Sequence, residues 1–371
     1  MEVLLCSDKF KGSCTAQAVC EAVARGIHSR LPQVQIHLHP MADGGDGSLA
    51  VLRHFRQLTE HRVPAVDPLG RASEASYYTD QAATAYIELA AASGYERLST
   101  AERDPLKTTT YGTGELLRAA LARGCREVLL FLGGSSTNEV GLGIAAALGA
   151  RFLDSAGQQV WPCGKTLHTI TRTDLSAVDE RIAKTRVLVF TDVRNPLTGP
   201  SGATHTFARQ KGANEATIEY LEAGVNHVVN LLRDTTGQDV STLPGAGAAG
   251  GVGAGLVALF GAQLLDGFAY LAEATGLEAR IASADLVVTG EGKLDASTLG
   301  GKVVAGVAKL AAAYGVPVVA VVGANALTRD EQAELGLSGA HAVMDVARDE
   351  ADAMRHVQAY LELLGRQLLQ P

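Results

Sequence analysis

The sequence contains no run of lysine and arginine, no paired CxxC, no HExxH and no GxSxG. Each absence narrows the chemistry. Without a basic run, and with a net charge of −8, the chain argues against nucleic acid or anionic membrane as its main partner. An anionic small substrate stays open, because a few local basic residues can outweigh charge spread over a surface. Cys6, Cys14, Cys20, Cys125 and Cys163 show no metal-type spacing. An odd number of cysteines without a secretory signal reads as reduced thiols in the cytoplasm. The opening "MEVLLC" is too short for a signal peptide and lacks a basic start. The histidines are scattered, with no pair at metal spacing, and read as structural. A covalent Ser or Cys nucleophile has no motif behind it.

Two nucleotide signatures are also missing. "GKT" (Gly164 to Thr166) imitates the end of a P-loop, but Gln159 stands where the earlier glycine must be. "GAGAAG" (Gly245 to Gly250) fits GxGxxG, but the preceding "VSTLP" is a poor strand ending in Pro244. Any ATP site must therefore be of another design. The uncharged stretch Val240 to Leu265 is long enough to suggest a membrane span. Its first half is mostly glycine and alanine, which supply little transfer energy, so it reads as a glycine loop running into a buried helix.

What is present describes a folded α/β chain. Hydrophobic residues make up 47% and charged residues 19% of 371 positions, and that length suggests two domains. "EVLLCS", a helix to Leu31, "VQIHLHPM" and the helix "GSLAVLRHFRQL" give a βαβα start, the pattern of a parallel sheet. From about residue 66 the texture changes to turn signals between short alternating runs, which read as antiparallel hairpins. A helix "GELLRAALARG", the strand "EVLLFLGG", the helix "GLGIAAALGARF", the strand "TRVLVFTDV" and a long helix from Glu215 follow. From Ala284 the parallel pattern returns, with strands at "ADLVVTGEG", "VPVVAVVG" and "GAHAVMDV" and a final helix to Leu369. The expected organisation is a discontinuous parallel-sheet domain, 1–65 plus 284–371, with a mixed α/β domain, 66–283, inserted.

In open parallel sheets ligands bind outside the carboxyl ends of the strands. Several such ends here carry polar, glycine-rich loops: "SDKFKGS" from Ser7, "ADGGDGS" from Ala42 and "TGEGKLDASTLGGK" from Thr289. The inserted region adds "LGGSSTN" from Leu132, "TDVRNPLTGPSG" from Thr191 and "ARQKGA" with Arg209 and Lys211. Glycines let backbone N–H groups approach phosphate oxygens, lysines supply positive charge, and carboxylates can hold Mg²⁺. Together these are the parts of a phosphoryl-transfer site. Taken singly, Asp43 and Asp46 read as turn or helix-cap residues, and Lys9, Lys11 and Lys302 as solvated charges. The functional reading rests on the loops converging on one rim.

In this order, "SDKFKGSCTA", "PMADGGDGS", "RDPLKTTTYGTGELL", "LGGSSTN", "TDVRNPLTGPSGA", "QKGA", "PGAGAAGGVGAGL" and "VVTGEGKLDASTLGGKV" resemble the bacterial glycerate kinases that phosphorylate D-glycerate from glucarate, galactarate and glyoxylate breakdown. The resemblance implies a flavodoxin-like domain with a restriction-endonuclease-like domain inserted. It implies ATP and Mg²⁺ as cofactors, D-glycerate as substrate, and 2-phospho-D-glycerate as product of direct in-line transfer. A homodimer is carried as an open expectation. The catalytic candidates are Asp192 (first choice for the base), Lys11, Asp43 and Asp295. Asp8, Asn138, Asn195, Arg209 and Lys211 are candidates to hold the substrate. Gly133, Gly134, Ser135, Ser136, Gly290, Glu291, Gly292 and Lys302 are candidates for the nucleotide, and Asp46 and Glu291 for the metal. Asp43 is expected to point inward, because Asp46 could cap the following helix. The chain departs from the family's usual residues at Lys9 (serine), Glu139-Val140 (Asp-Gly), Lys293 (arginine) and Ser297 (glutamine). A kinase giving 3-phosphoglycerate or acting on another small hydroxy acid, and a ligand-binding relative of weakened activity, stay open.

Overall fold

The computed structural model describes residues 1–296, 298 and 302–369. Ser297, one of the departures named above, lies outside the described residues. The chain runs β1 (Glu2–Ser7), α1 (Ala16–Arg30), β2 (Gln35–Leu38), α2 (Ser48–Phe55), β3 (Thr59–Val66), β4 (Ala72–Thr79), β5 (Thr84–Glu88), α3 (Ala90–Ser93), α4 (Tyr111–Ala122), β6 (Glu127–Phe131) and α5 (Leu142–Ala147). It continues with β7 (Arg151–Leu153), β8 (Arg172–Asp174), β9 (Arg186–Thr191), α6 (Ala203–Phe207), α7 (Glu215–Thr236), α8 (Ala248–Phe260), β10 (Gln263–Asp266), α9 (Gly267–Thr275) and α10 (Leu277–Ala282). It ends with β11 (Leu286–Gly290), β12 (Lys293–Leu294), α11 (Val303–Tyr314), β13 (Val318–Val322), β14 (Ala324–Asn325), α12 (Arg329–Glu334), β15 (Gly339–Ala342), α13 (Glu350–Arg355) and α14 (Val357–Gly365).

Two compact units result. The first is Met1–Arg56 with Gly267–Pro371, and the second is Gln57–Asp266. The first holds a five-stranded parallel sheet in the order β15-β13-β11-β1-β2. That is the doubly wound order of flavodoxin-type sheets, in which the direction of winding reverses between β1 and β11. β1 and β11 are apolar and buried along almost their whole length, as strands covered on both faces must be. α1 begins at Thr15, whose hydroxyl accepts the Ala18 N–H, and it packs its buried face with α14 around the core of Leu5, Val23, Ile27 and Leu361.

The second unit holds a six-stranded mixed sheet, β10-β9-β6-β5-β4-β3. The β3–β4 and β4–β5 pairs are antiparallel and the others parallel. The β3–β4 turn is built by Asp67, whose carboxylate accepts the N–H groups of Leu69 (2.9 Å) and Arg71 (3.0 Å).

Several expected boundaries move. Residues 59–65 were expected with the parallel domain, but they pair along β4 and so belong to the second unit. Residues 267–283 form α9 and α10, which pack on α2 and α11 of the first unit. The helix expected to reach Phe152 stops at Ala147, because Gly149 takes a φ of 106° and the chain then pairs β7 with β8. The final helix is interrupted at His356. The glycine run leads into α8, and among the described residues no helix is long and apolar enough to cross a membrane.

Candidate active site

In the first unit the reversal of winding puts the ends of β1 and β11 side by side, with Ser7 paired to Gly290. The loops after them carry Asp8, Lys9 and Lys11 on one side and Glu291, Gly292 and Asp295 on the other. Asp8 accepts the Lys9 N–H at 2.6 Å. Burial first, and then the neighbouring Asp43, hold its carboxyl well above the usual carboxylate range. Burial also pushes Glu291 up to about 7. There the Thr298 hydroxyl, which donates to Glu291, and the charge of Lys302 pull the other way, while Asp43 and Asp295 push up with burial. Asp8, Asp43, Glu291, Asp295 and Lys302 are therefore brought into one electrostatic group. Gly292 lies beside the Phe10–Lys11 backbone, and Lys302 precedes α11. Lys11 is exposed.

The loop after β2 is turned by Asp43, whose carboxylate accepts the Gly45 N–H at 2.9 Å. Gly44 is required there: at φ +99° its Cβ would stand 2.4 Å from the Gly267 Cα. Asp46 does not cap α2. The capping position is Gly47, with no side-chain bond, and Asp46 instead pairs with Lys9. The Lys9 ammonium donates to the Asp46 main-chain oxygen and lies 3.3 Å from its carboxylate. Burial works against that charge, but Asp8, Asp46 and Asp43 outweigh it and hold Lys9 above the ordinary lysine value. A lysine here thus neutralises part of the acidic group.

Among the described residues no three acidic, histidine or cysteine side chains form a protein-only metal cage. Mg²⁺ needs none, since it is commonly held by one or two carboxylates together with substrate phosphates. Hard oxygen donors that repel one another, as Asp43 and Glu291 do, fit that mode of binding.

In the second unit β6 and β9 run parallel and in register, Phe131 beside Phe190, so the loops after them leave the same edge. The β9 loop carries Asp192, half-buried, directly after Thr191. Asn195 holds that loop together by donating to the Ser201 carbonyl (2.7 Å) and the Thr206 hydroxyl (3.3 Å). In the β6 loop, Gly133 and Gly134 are half-buried, Ser135 bridges to Gly94, and Gly134 accepts the Tyr95 N–H. The amide and hydroxyl of Ser136 both donate to the Ser93 carbonyl, so those donors are engaged inside the unit.

Beyond Ser136 the chain is wholly buried. Asn138 donates to the Thr204 hydroxyl at 3.3 Å, while its own carbonyl oxygen and the Thr137 hydroxyl have no partner among the described residues. Lys211, 2% exposed, donates to the Thr137 carbonyl at 2.7 Å. Arg209 is separated from this group: it is exposed and paired with Glu215 at 2.6 Å. Glu139 accepts the Thr110 hydroxyl (2.5 Å) and the Gly143 N–H (2.8 Å). Burial pushes its carboxyl up to about 7 against those bonds. Burial pulls the Lys211 ammonium down to about 7, with Glu139 opposing.

The sequence pattern of the glycerate kinase family matches residues 3–370. The chain belongs to the glycerate kinase family. It is 38% identical over 367 residues to a glycerate kinase of Halalkalibacterium halodurans, covering 99% of this chain and 97% of that one. It is 39% identical over 324 residues to a glycerate 2-kinase of Escherichia coli K12, covering 87% and 85%. The crystal structure of a protein described as glycerate kinase 2 from Salmonella typhimurium LT2 superposes with a TM-score of 0.80 at 37% identity, covering 99% of this chain and 97% of that one. As a member of this family the chain is a kinase, a phosphotransferase, with a mixed α/β fold.

Thr110, Thr137, Glu139 and Thr204 were not among the sequence candidates for the site. Their grouping depends on tertiary hydrogen bonds, which spacing does not report. One signal was available: Glu139 stands just before a helix start, where a carboxylate is favoured by exposed N–H groups.

Val140 in this family member takes a φ of 60°, a left-handed conformation that favours glycine. Glycine there would relieve about 1–2 kcal/mol of strain. It would also forfeit about 1.5–3 kcal/mol from a fully buried valine, and about 0.5–1 kcal/mol of chain entropy. The losses are larger, so Val140→Gly is expected to lower the melting temperature by a few degrees. A rise in a thermal unfolding scan would show that strain dominates.

Proposed function

We propose that this protein transfers the γ-phosphoryl group of ATP to D-glycerate and releases ADP and 2-phospho-D-glycerate. The observation that carries the reading is the acidic group at the reversal point of the parallel sheet, in a chain of this family. Asp8, Asp43 and Glu291, beside Lys302, are what a phosphate and metal site requires and are costly to bury otherwise. The E. coli relative's name, glycerate 2-kinase, supports the position of transfer.

Transfer is direct. The substrate hydroxyl oxygen bonds to the γ-phosphorus, the bond to the bridging β–γ oxygen breaks, and that oxygen leaves with ADP. Asp192 accepts the proton of the attacking hydroxyl. Lys211 and Lys11 neutralise charge on the carboxylate and the phosphates, and Asn138 orients the substrate. In the first unit backbone N–H groups of Gly290 to Gly292 would serve phosphate oxygens, and in the second unit those of Gly133 to Ser135 are the corresponding candidates. Glu291 and Asp43 would hold Mg²⁺, which when bound neutralises phosphate charge. Asp46 is taken by Lys9, and Arg209 by Glu215. Most of the catalysis is positioning and charge neutralisation, as in phosphoryl transfer generally.

Phosphorus NMR of a reaction with ATP, Mg²⁺ and D-glycerate tests this directly. The expected result is an ADP signal together with a 2-phosphoglycerate signal, both absent without D-glycerate. A 3-phosphoglycerate signal would overturn the position of attack. No D-glycerate-dependent ADP would overturn the reading.

A further inference from the structure

Glu139 takes no part in the steps above, yet it is completely buried next to residues that do. We infer that Glu139 is a positioning residue of the reaction: it is the counter-charge of Lys211 and the clamp on the loop that carries Thr137 and Asn138. This deepens the reading in which Lys211 meets an anionic substrate.

Three observations converge. The carboxylate ties the Thr110 hydroxyl to the Gly143 amide, and that hydroxyl in turn accepts the Ile144 N–H at 3.0 Å. Those bonds fix the start of α5 and the loop running into it. The Thr137 carbonyl, two residues back, accepts the Lys211 ammonium. Thr137 and Asn138 each keep a buried polar atom without a partner among the described residues, which leaves capacity for a further group.

The charged surroundings of Lys211 are simple. Arg209, on the same turn, points away to Glu215, and Arg103, on the segment against Gly212, lies over the Tyr95 ring. Among the described residues Glu139, completely buried two residues beyond the carbonyl that accepts Lys211, is the charged group beside that ammonium. An ammonium buried with its proton at risk near neutral pH needs that charge to stay a cation when the anionic substrate arrives.

The test uses the full chain with lysine side chains carrying ¹³C at Cε, and the Lys211 signal is assigned by its loss in Lys211→Met. In Glu139→Gln the shape and the acceptor for Thr110 are kept, but the charge and the acceptor for the Gly143 N–H are gone. The Lys211 titration midpoint is expected to fall by about one pH unit or more, a tenfold change in protonation. In Glu139→Asp, which keeps the charge, it is expected to stay near the parent's. Kinetics give a second readout. KM for D-glycerate in Glu139→Gln is expected to rise about tenfold more near pH 8 than near pH 5.5, where Lys211 is protonated regardless. In a Lys211→Met background the same substitution is expected to change KM by the same factor at about pH 5.5 and at about pH 8.

An unmoved Lys211 midpoint in Glu139→Gln overturns the inference, as does a KM penalty independent of pH. If Glu139→Gln does not fold, Glu139→Asp decides: a midpoint that falls by about a unit with the charge still present also overturns it. A parent protein that forms no ADP with D-glycerate defeats the kinase reading alone, since the NMR titration needs no turnover.

Discussion

Asp192→Asn is expected to lower kcat by about 100-fold or more, the usual scale for losing a general base, with little change in melting temperature. Asp192 directly follows Thr191, the last residue of β9, on the edge from which the Gly133–Ser136 loop also leaves. The Val193 N–H bonds the Thr191 hydroxyl at 3.2 Å, and Asn195 holds the far side of the loop, so the main chain is held on both sides of residue 192. Asparagine preserves the shape and one oxygen acceptor but cannot take a proton. In a loose phosphoryl-transfer transition state the hydroxyl proton leaves late, so part of the carboxylate's effect is orientation. Asp192→Ala, which removes orientation as well, is therefore expected to be slower still. A coupled ADP assay measures both. If kcat in Asp192→Asn matches the parent, Asp192 is not the base.

The parallel-sheet unit was legible because its strands are buried on both faces and write themselves as apolar runs. "LLCS", "LVVTG" and "VVAVV" end in glycine or polar loops that a ligand site at the strand ends demands. The domain boundaries were less legible. Nothing local in "TEHRVPAV" says that its partner is β4 rather than a parallel neighbour, since pairing is a property of two segments. The acidic residues at the ends of β1, β2 and β11 lie near one another, as their loops led one to expect, but their individual bonds could not be read. Asp46 looked like a helix cap until Lys9 was placed beside it, and Arg209 and Lys211 looked equivalent until burial separated them. Glu139 was visible as a departure from the usual residue and as a carboxylate just before a helix start. Its use depends on Thr110 and Lys211, far apart in sequence, and no spacing rule reports that.

The "GAGAAG" stretch shows the same limit from the other side, and it carries the largest expected effect on stability. Its glycines fit a dinucleotide fingerprint in sequence, yet in the fold they serve close backbone approach. Gly250 has a φ of 70°, and a Cβ there would stand 2.1 Å from the Thr137 carbonyl oxygen and 2.7 Å from the Asn138 Cα. Both are main-chain atoms, so no rotamer change can make room. Gly250→Ala must therefore displace the carbonyl that accepts Lys211. Gly261→Ala is the control: its φ of 65° is equally unfavourable for alanine, but nothing lies within 4 Å of the added carbon. The conformational cost alone is about 1 kcal/mol, which sets the expectation for Gly261→Ala. The overlap should add to that, giving at least about 3 kcal/mol for Gly250→Ala. For a unit of this size, with about 2–4 °C lost per kcal/mol, that is a fall of about 10 °C against about 3 °C for the control. The two substitutions should also separate in activity. Gly261→Ala leaves the Thr137–Lys211 bond alone, so D-glycerate turnover below its melting range should match the parent, while Gly250→Ala should lose most of it. Equal shifts in melting temperature for the two variants would mean that the loop around Thr137 yields to the added carbon, and that the close approach of Gly250 is not what fixes the position of Lys211's acceptor.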